Sequence, residues 1–128
     1  MKKLTTLTLV LIYSFMNAQR IYNSSSSLIG RIDGKRIYES SSKLIGKIDG
    51  KSIYNGSSNY LGKIDGKLVY NGSSKLIGKI EGNNLYNDSS KLIGKIDGDR
   101  IYDNSSRLLG RCEGLTTEQK ILFFYFFL

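Results

Sequence analysis

From Gln19 to Gly114 the chain alternates apolar and polar positions in short runs, and turn-forming residues break each run. The stretch around Leu44 is the clearest case: Leu44-Ile45-Gly46-Lys47-Ile48, then Asp49-Gly50, then Lys51-Ser52-Ile53-Tyr54, then a serine-rich segment. The same order returns every 16 residues, in six copies that start at Arg20, Arg36, Ser52, Leu68, Asn84 and Arg100. Short alternating runs bounded by Asp, Asn, Gly and Ser are strand signals. A fixed short period means one supersecondary element per copy. The pattern therefore predicts two antiparallel strands per unit and an all-β fold.

Asp49-Gly50 reads as a two-residue hairpin turn of type I′, which needs positive φ at both central positions. Asp33-Gly34, Asp65-Gly66, Glu81-Gly82 and Asp97-Gly98 hold the same place. A loop of that kind pairs Ile48 with Lys51, Lys47 with Ser52, Gly46 with Ile53 and Ile45 with Tyr54. Side chains alternate across the pleat, so Leu44, Gly46, Ile48 and Ile53 are expected on the core face. Ile45, Lys47, Ser52 and Tyr54 fall on the other. The strand glycine, recurring as Gly30, Gly62, Gly78, Gly94 and Gly110, reads as a close approach between neighbouring hairpins toward a common axis. The turns from one unit to the next begin at Asn23, Glu39, Asn55, Asn71, Asn87 and Asp103 and continue into serine. Asn, Asp, Gly and Ser bond the nearby backbone and favour ordered turns.

One hairpin alone is marginal in water. Ordering each residue's backbone costs about 1–2 kcal/mol, so the units must share a core. An open stack would leave sheet edges exposed. The two ends of the array argue for closure. Ile21-Tyr22 lacks a preceding strand, and Leu108-Leu109-Gly110-Arg111-Cys112 lacks a following one, so paired together they complete a ring. The complete Asp/Glu-Gly hairpins number five, while the paired half-units make a sixth blade, and the sequence leaves both counts open.

The repeat I-Y-(D/N)-S-S-x-(R/K)-x-I-G-(R/K)-I-D-G at a 16-residue step, followed by the aromatic run Phe123-Phe124-Tyr125-Phe126-Phe127, resembles the five-fold beta-flower proteins, a family of small exported bacterial repeat proteins. The resemblance covers Gln19 to about Gly114. It implies a closed radial array of antiparallel β-hairpins and implies no activity. Members of the family often carry glycine after the serine pair, where this chain has Ser42, Ser58, Ser74, Ser90 and Ser106, which puts the build of those turns in question.

Residues 1–18 do not follow the repeat. Lys2 and Lys3, then an apolar run from Leu4 to Met16, then Ala18 have the layout of a secretory signal peptide. The run is too short and polar for a membrane span, which needs about 20 apolar residues. The chain is expected to be exported, to the periplasm, the outer membrane or the exterior, with no transmembrane span in the mature part. The formal charge of +8 falls to +6 when Lys2 and Lys3 leave. The lone cysteine, Cys112, stands where other units carry Ile32, Ile48, Ile64, Ile80 and Ile96, so it reads as a small apolar core residue.

Residues 115–128 break the period. Thr116 with Gln119 forms a capping-box pattern, so a short helix is expected to start there. Ile121 to Leu128 is wholly apolar or aromatic. It reads as a helical or aromatic plug across one end of the ring. The alternative is a tail that meets a membrane or a partner chain.

With no histidine in the chain, Ser-His-Asp and Cys-His catalysis and histidine-based zinc sites are excluded. Asp33, Asp49, Asp65, Glu81, Asp97 and Glu113 recur once per unit, and a ring of carboxylates suits calcium. Turn chemistry explains them more simply, so no metal or other cofactor is expected. Arg31, Lys47, Lys63, Lys79, Lys95 and Arg111 recur too, and with Tyr22, Tyr38, Tyr54, Tyr86 and Tyr102 they make a candidate ligand face. Charge and stacking on such a face would suit anionic polysaccharide, lipopolysaccharide or nucleic acid, although no specific nucleic-acid motif is present. The plain alternative is a solvated strand face whose tyrosines cover their neighbours. The expected function is a non-enzymatic structural or binding module of the bacterial envelope or exterior.

Overall fold

The computed structural model describes residues 19–128. The expected signal peptide, 1–18, lies outside the described residues. Among the described residues, twelve strands and one helix follow in order: β1 (Gln19–Asn23), β2 (Leu28–Asp33), β3 (Arg36–Glu39), β4 (Leu44–Asp49), β5 (Ser52–Asn55), β6 (Tyr60–Asp65), β7 (Leu68–Asn71), β8 (Leu76–Glu81), β9 (Asn84–Asn87), β10 (Leu92–Asp97), β11 (Arg100–Asp103), β12 (Leu108–Glu113) and α1 (Thr117–Phe127). Every strand pairs antiparallel with its sequence neighbours, and β1 pairs with β12, which closes the barrel. Ile21 faces Cys112 and Tyr22 faces Arg111 across this seam. The two ends of the repeat array thus build the sixth pair of strands, and the ring has six units, five of them continuous in sequence.

Inside the wall lies a layer of Ile21, Ile32, Ile37, Ile48, Ile53, Ile64, Val69, Ile80, Leu85, Ile96, Ile101 and Cys112, all buried. Ile48 and Ile53 sit inside as the alternation requires, but they face each other, with Asp49 opposite Ser52 and Lys47 opposite Tyr54. The turn is therefore Gly50-Lys51 and not Asp49-Gly50. Gly50 takes a φ of +62° and Lys51 has none of that sign. Positive φ at the first central position alone is the type II′ arrangement, not type I′. Sliding the loop by one residue moves the pairing by two, so each side chain keeps its face. Adjacent hairpins are also stitched at this end. The N–H groups of Ile48, Ile64, Ile80, Ile96 and Cys112 donate to the carbonyls of Lys35, Lys51, Lys67, Asn83 and Asp99 over 2.7–2.9 Å.

Leu44 departs from expectation. It lies outside, exposed, while Ile45 packs against the core. Ile37 pairs with Gly46 and Tyr38 with Leu44, which leaves Ile45 as an extra residue in its strand. That is a β-bulge, and it reverses the alternation beyond it. The same shift recurs in all six units.

The serine-rich turns carry their own signature. Asn23 Oδ1 accepts from the N–H groups of Ser25 and Ser27 at 2.9 and 3.0 Å, and Asn55, Asn71, Asn87 and Asp103 do the same in their turns. Glu39 has a longer side chain, and its carboxylate accepts from Ser41 Oγ instead. Ser26, Ser42, Ser58, Ser74, Ser90 and Ser106 all adopt φ between +62° and +70°. These serines occupy a left-handed position, the conformation that glycine adopts most easily. A left-handed backbone costs a side-chain-bearing residue about 1–2 kcal/mol. Ser58→Gly is expected to raise stability by about 0.5–1 kcal/mol, after the entropy that glycine loses on folding. A urea midpoint that falls in this variant would show that the hydroxyl supports the turn.

Helix α1 lies in the lumen. Gly114, at φ +78°, turns the chain inward after β12. The Thr116 hydroxyl accepts from Gln119 N–H at 3.1 Å, and Gln119 Oε1 accepts from Thr116 N–H at 2.9 Å, which completes the capping box. Gln19 Nε2 donates both to Gly114 O and to Gln119 Oε1, tying the helix start to β1. From Ile121 onward the helix is apolar around its whole circumference, as befits one surrounded by protein. Ile121, Leu122 and Phe123 are buried. The tail is therefore a helical plug that packs inside the ring.

The strand glycines make this possible. A Cβ on Gly94, Gly78, Gly62 or Gly46 would lie within 2.7 Å of the ring of Phe124, Tyr125, Phe126 or Phe127 respectively. Four successive helix residues thus use four successive wall glycines. Gly30 and Gly110 meet only backbone, the carbonyls of Tyr38 and Tyr22 at 2.7 and 2.4 Å. The glycines make room for the helix rings and for paired-strand carbonyls. They do not stand opposite the isoleucine of their own hairpin, since Gly46 pairs with Asn55.

Candidate functional site

The β-bulge and the shifted turn together decide what the outside of the barrel presents. Each basic strand residue lies directly across from a tyrosine: Arg31 from Tyr38, Lys47 from Tyr54, Lys63 from Tyr70, Lys79 from Tyr86, Lys95 from Tyr102 and Arg111 from Tyr22. The expected register set Lys47 against Ser52, so the candidate residues come together more tightly than the sequence suggested. Tyr70 belongs to the set as well, although the repeat pattern alone did not single it out. Its unit reads Leu68-Val69-Tyr70, and matching the position of Tyr54 one period earlier would have found it.

In four pairs the cation lies over the ring. Arg31 sits 4.5 Å from the Tyr38 centroid, Lys47 4.9 Å from Tyr54, Lys63 5.8 Å from Tyr70 and Arg111 4.5 Å from Tyr22. Exposed cation–π contacts contribute about 0.5–1 kcal/mol each, so the face also steadies the wall. Lys79 turns to Glu81 at 3.1 Å. Arg111 Nε lies 3.2 Å from Glu113 Oε1, near enough for an ion pair but without hydrogen-bond alignment. Lys95 is exposed.

On the far side of each tyrosine stands a residue that the bulge turns outward. Tyr22, Tyr38 and Tyr86 pair with Leu28, Leu44 and Leu92, and Tyr54 pairs with Tyr60. All four partners are exposed. The Tyr54 and Tyr60 rings lie 5.6 Å apart. Sequence reasoning missed this apolar flank, because strict alternation places Leu44 indoors. The in-strand glycine was the available hint, since such glycines often mark bulges.

The acidic turn residues do not gather. Among the described residues, no three carboxylate, cysteine or histidine side chains converge as metal ligands would. Lys35 reaches Asp49 of the next turn at 3.0 Å, with both side chains largely exposed. Surface pairs of that kind contribute about 0–1 kcal/mol.

Cys112 is buried and unpaired. Burial pushes its thiol up from 9.0 to about 12, with the Lys120 charge pulling the other way. A thiol held protonated is a poor nucleophile, which fits the core role. Below pH 9 both folded and unfolded chains keep this proton. Between 9 and 12 the unfolded chain loses it first, so stability falls as pH rises, by up to about 1.4 kcal/mol per pH unit. Tyr125, raised from 10.0 to about 12 by burial, acts in the same direction. Cys112→Val is expected to flatten the fall in urea midpoint between pH 8 and pH 10, and an unchanged slope would remove the thiol as its cause.

A family model described as 5-fold beta-flower protein matches residues 18–128. No curated protein and no solved structure matches the chain.

Proposed function

Since the chain belongs to the 5-fold beta-flower protein family, we propose that it serves as a non-enzymatic, exported binding module of the bacterial envelope or exterior, holding an anionic polysaccharide on its outer face. The observation that carries this reading is the cross-strand pairing of a Lys or Arg with a Tyr in every unit around a closed ring. Equivalent weak sites repeated around one rigid body suit a polymer with repeated charges, because linked contacts add avidity without any new contact. The exposed Leu28, Leu44, Tyr60 and Leu92 give the apolar faces of sugar rings somewhere to rest. Envelope lipid is the second reading, and the same leucines favour it where an acyl chain is present. The aromatic tail supports neither, because Ile121, Leu122 and Phe123 are buried in the lumen.

The test is binding of the mature protein to a sulfated or uronate polysaccharide and to vesicles of anionic lipid, each across a salt series. Binding to the polysaccharide that weakens steeply with salt is expected. Lys63→Glu with Lys95→Glu should weaken it at least about tenfold, the loss of roughly one charge-assisted contact. Absence of salt-sensitive binding to every polyanion would sink the reading, and binding confined to vesicles would transfer it to lipid.

A further inference from the structure

The turn end of the barrel holds a second feature that the outer face does not use. Between helix α1 and the turns at Gly82 and Gly98 lies a cavity of about 110 Å³. Its floor is apolar, formed by Ile80, Ile96 and Ile121, each no more than 8% exposed. Its rim is polar, with Asn83 and Thr117 both open to solvent. Lys120 lines the wall and is only 7% exposed.

Lys120 is the unusual element. It is the one buried charged residue among those described. Its ammonium donates to Gly98 O at 2.6 Å, and no carboxylate lies within ion-pair distance of it among the described residues. An ammonium has three donors, so two remain beyond the bond to Gly98. A buried charge without a counter-charge is costly. None of the helix residues beside it, Thr116, Thr117 and Gln119 on one side and Ile121, Phe123 and Phe124 on the other, carries a counter-charge. The helix start adds to the field, since its first N–H groups carry partial positive charge. Asp99, exposed beside Gly98, is the opposing charge, and it faces solvent where water screens it.

We infer that this cavity is a binding site for a small aliphatic carboxylate, entered tail-first from the turn end. The alkyl group fills the floor against Ile80, Ile96 and Ile121. The carboxylate rests at the rim on the Lys120 ammonium, with Thr117 and Asn83 able to donate the remaining bonds. A bare inorganic anion satisfies the lysine but leaves the apolar floor uncovered, so the floor selects for an alkyl chain. The site is set apart from the outer Lys/Tyr face and stands or falls without it.

Titration of the mature protein with butyrate, acetate and inorganic phosphate, followed by calorimetry and by amide NMR, tests this. Butyrate should bind saturably, with a dissociation constant on the order of 1 mM, within reach of so small a ligand. It should move the amides of Gly82, Gly98 and Thr117, and acetate and phosphate should bind more weakly. Lys120→Met should weaken butyrate at least about tenfold. Thr117→Trp, at an exposed position on the first helical turn, keeps the lysine and closes the mouth, so it should also abolish binding in a protein that still folds. No saturable butyrate binding to the wild type overturns the inference. So does phosphate binding as tightly as butyrate, or butyrate binding that Thr117→Trp leaves unchanged.

Discussion

Deleting Ile121–Leu128 is expected to unfold the whole barrel, leaving a chain without β-sheet circular dichroism or NMR dispersion. The segment carries what the wall closes around. Ile121, Leu122 and Phe123 are buried, with Leu122 at 0% exposure. Fully burying such side chains contributes about 1.5–3 kcal/mol each, so these three alone supply on the order of 5–9 kcal/mol. Small domains have about 5–15 kcal/mol in total. The rings of Phe124 to Phe127 add to the loss, since the wall glycines they fill would face an empty lumen. Leu122→Ala is the milder version, and a cost of about 2–5 kcal/mol is expected from the cavity it leaves. A truncated chain that still folds cooperatively would mean the wall fills its own interior and the helix is dispensable.

The second large effect is local and tests the fit between helix and wall. At Gly78 an added Cβ would lie 2.3–2.6 Å from Tyr125 Cε1, Cζ and Oη, and these are its three nearest atoms. The hydroxyl of that ring donates to Tyr86 O at 2.6 Å. Gly78→Ala therefore has to displace the ring and disturb its hydrogen bond, at about 2–4 kcal/mol from overpacking and the lost bond. Tyr125→Leu alone should also destabilise. The double variant should lose less than the sum, by about 1–2 kcal/mol, because trimming the ring makes room for the methyl. Gly62 is the control. There the Tyr70 carbonyl stands 2.2 Å from the added Cβ, nearer than the Phe126 ring. Trimming Phe126 leaves that backbone clash, so Gly62→Ala with Phe126→Leu should show little rescue. Equal rescue at both sites would mean that the ring, not the wall backbone, sets the demand for glycine everywhere.

Much of this wall could be read from single residues. Ile48 and Ile53 reach the core because the period of a strand is two, and a slipped turn that moves pairing by two preserves it. Closure followed from two half-hairpins at the ends of the array, and Arg20 pairing with Glu113 realises it. Leu44 and Ile45 were exchanged because a bulge is a backbone event that alternation does not record. The type II′ turn escaped because Asp-Gly serves either loop, and only the three-dimensional pairing of Asp49 with Ser52 tells them apart. The left-handed serines were hidden too, since serine states no φ preference as glycine does. The packing of α1 inside the ring is a global property. Each unit specifies its own strands, and the space at the centre of six units appears in none of them. The Lys120 cavity arises the same way, from a helix residue set beside turns remote in sequence.

The seam between β1 and β12 has a meaning for the order in which the molecule is assembled. Five hairpins join residues close along the chain, so they can form as soon as their strands are available, at little loop-closure cost. The sixth needs ends such as Gln19 and Gly114, which stand 95 positions apart. Until β12 arrives, the growing sheet has two open edges that invite pairing with another chain. The helix follows β12 directly, so the segment that closes the ring is continuous with the one that fills it, and both come after the five sequence-local hairpins. Folding of this protein is thus expected to wait on β12 and α1, and chains that lack them are the species a cell must keep from aggregating.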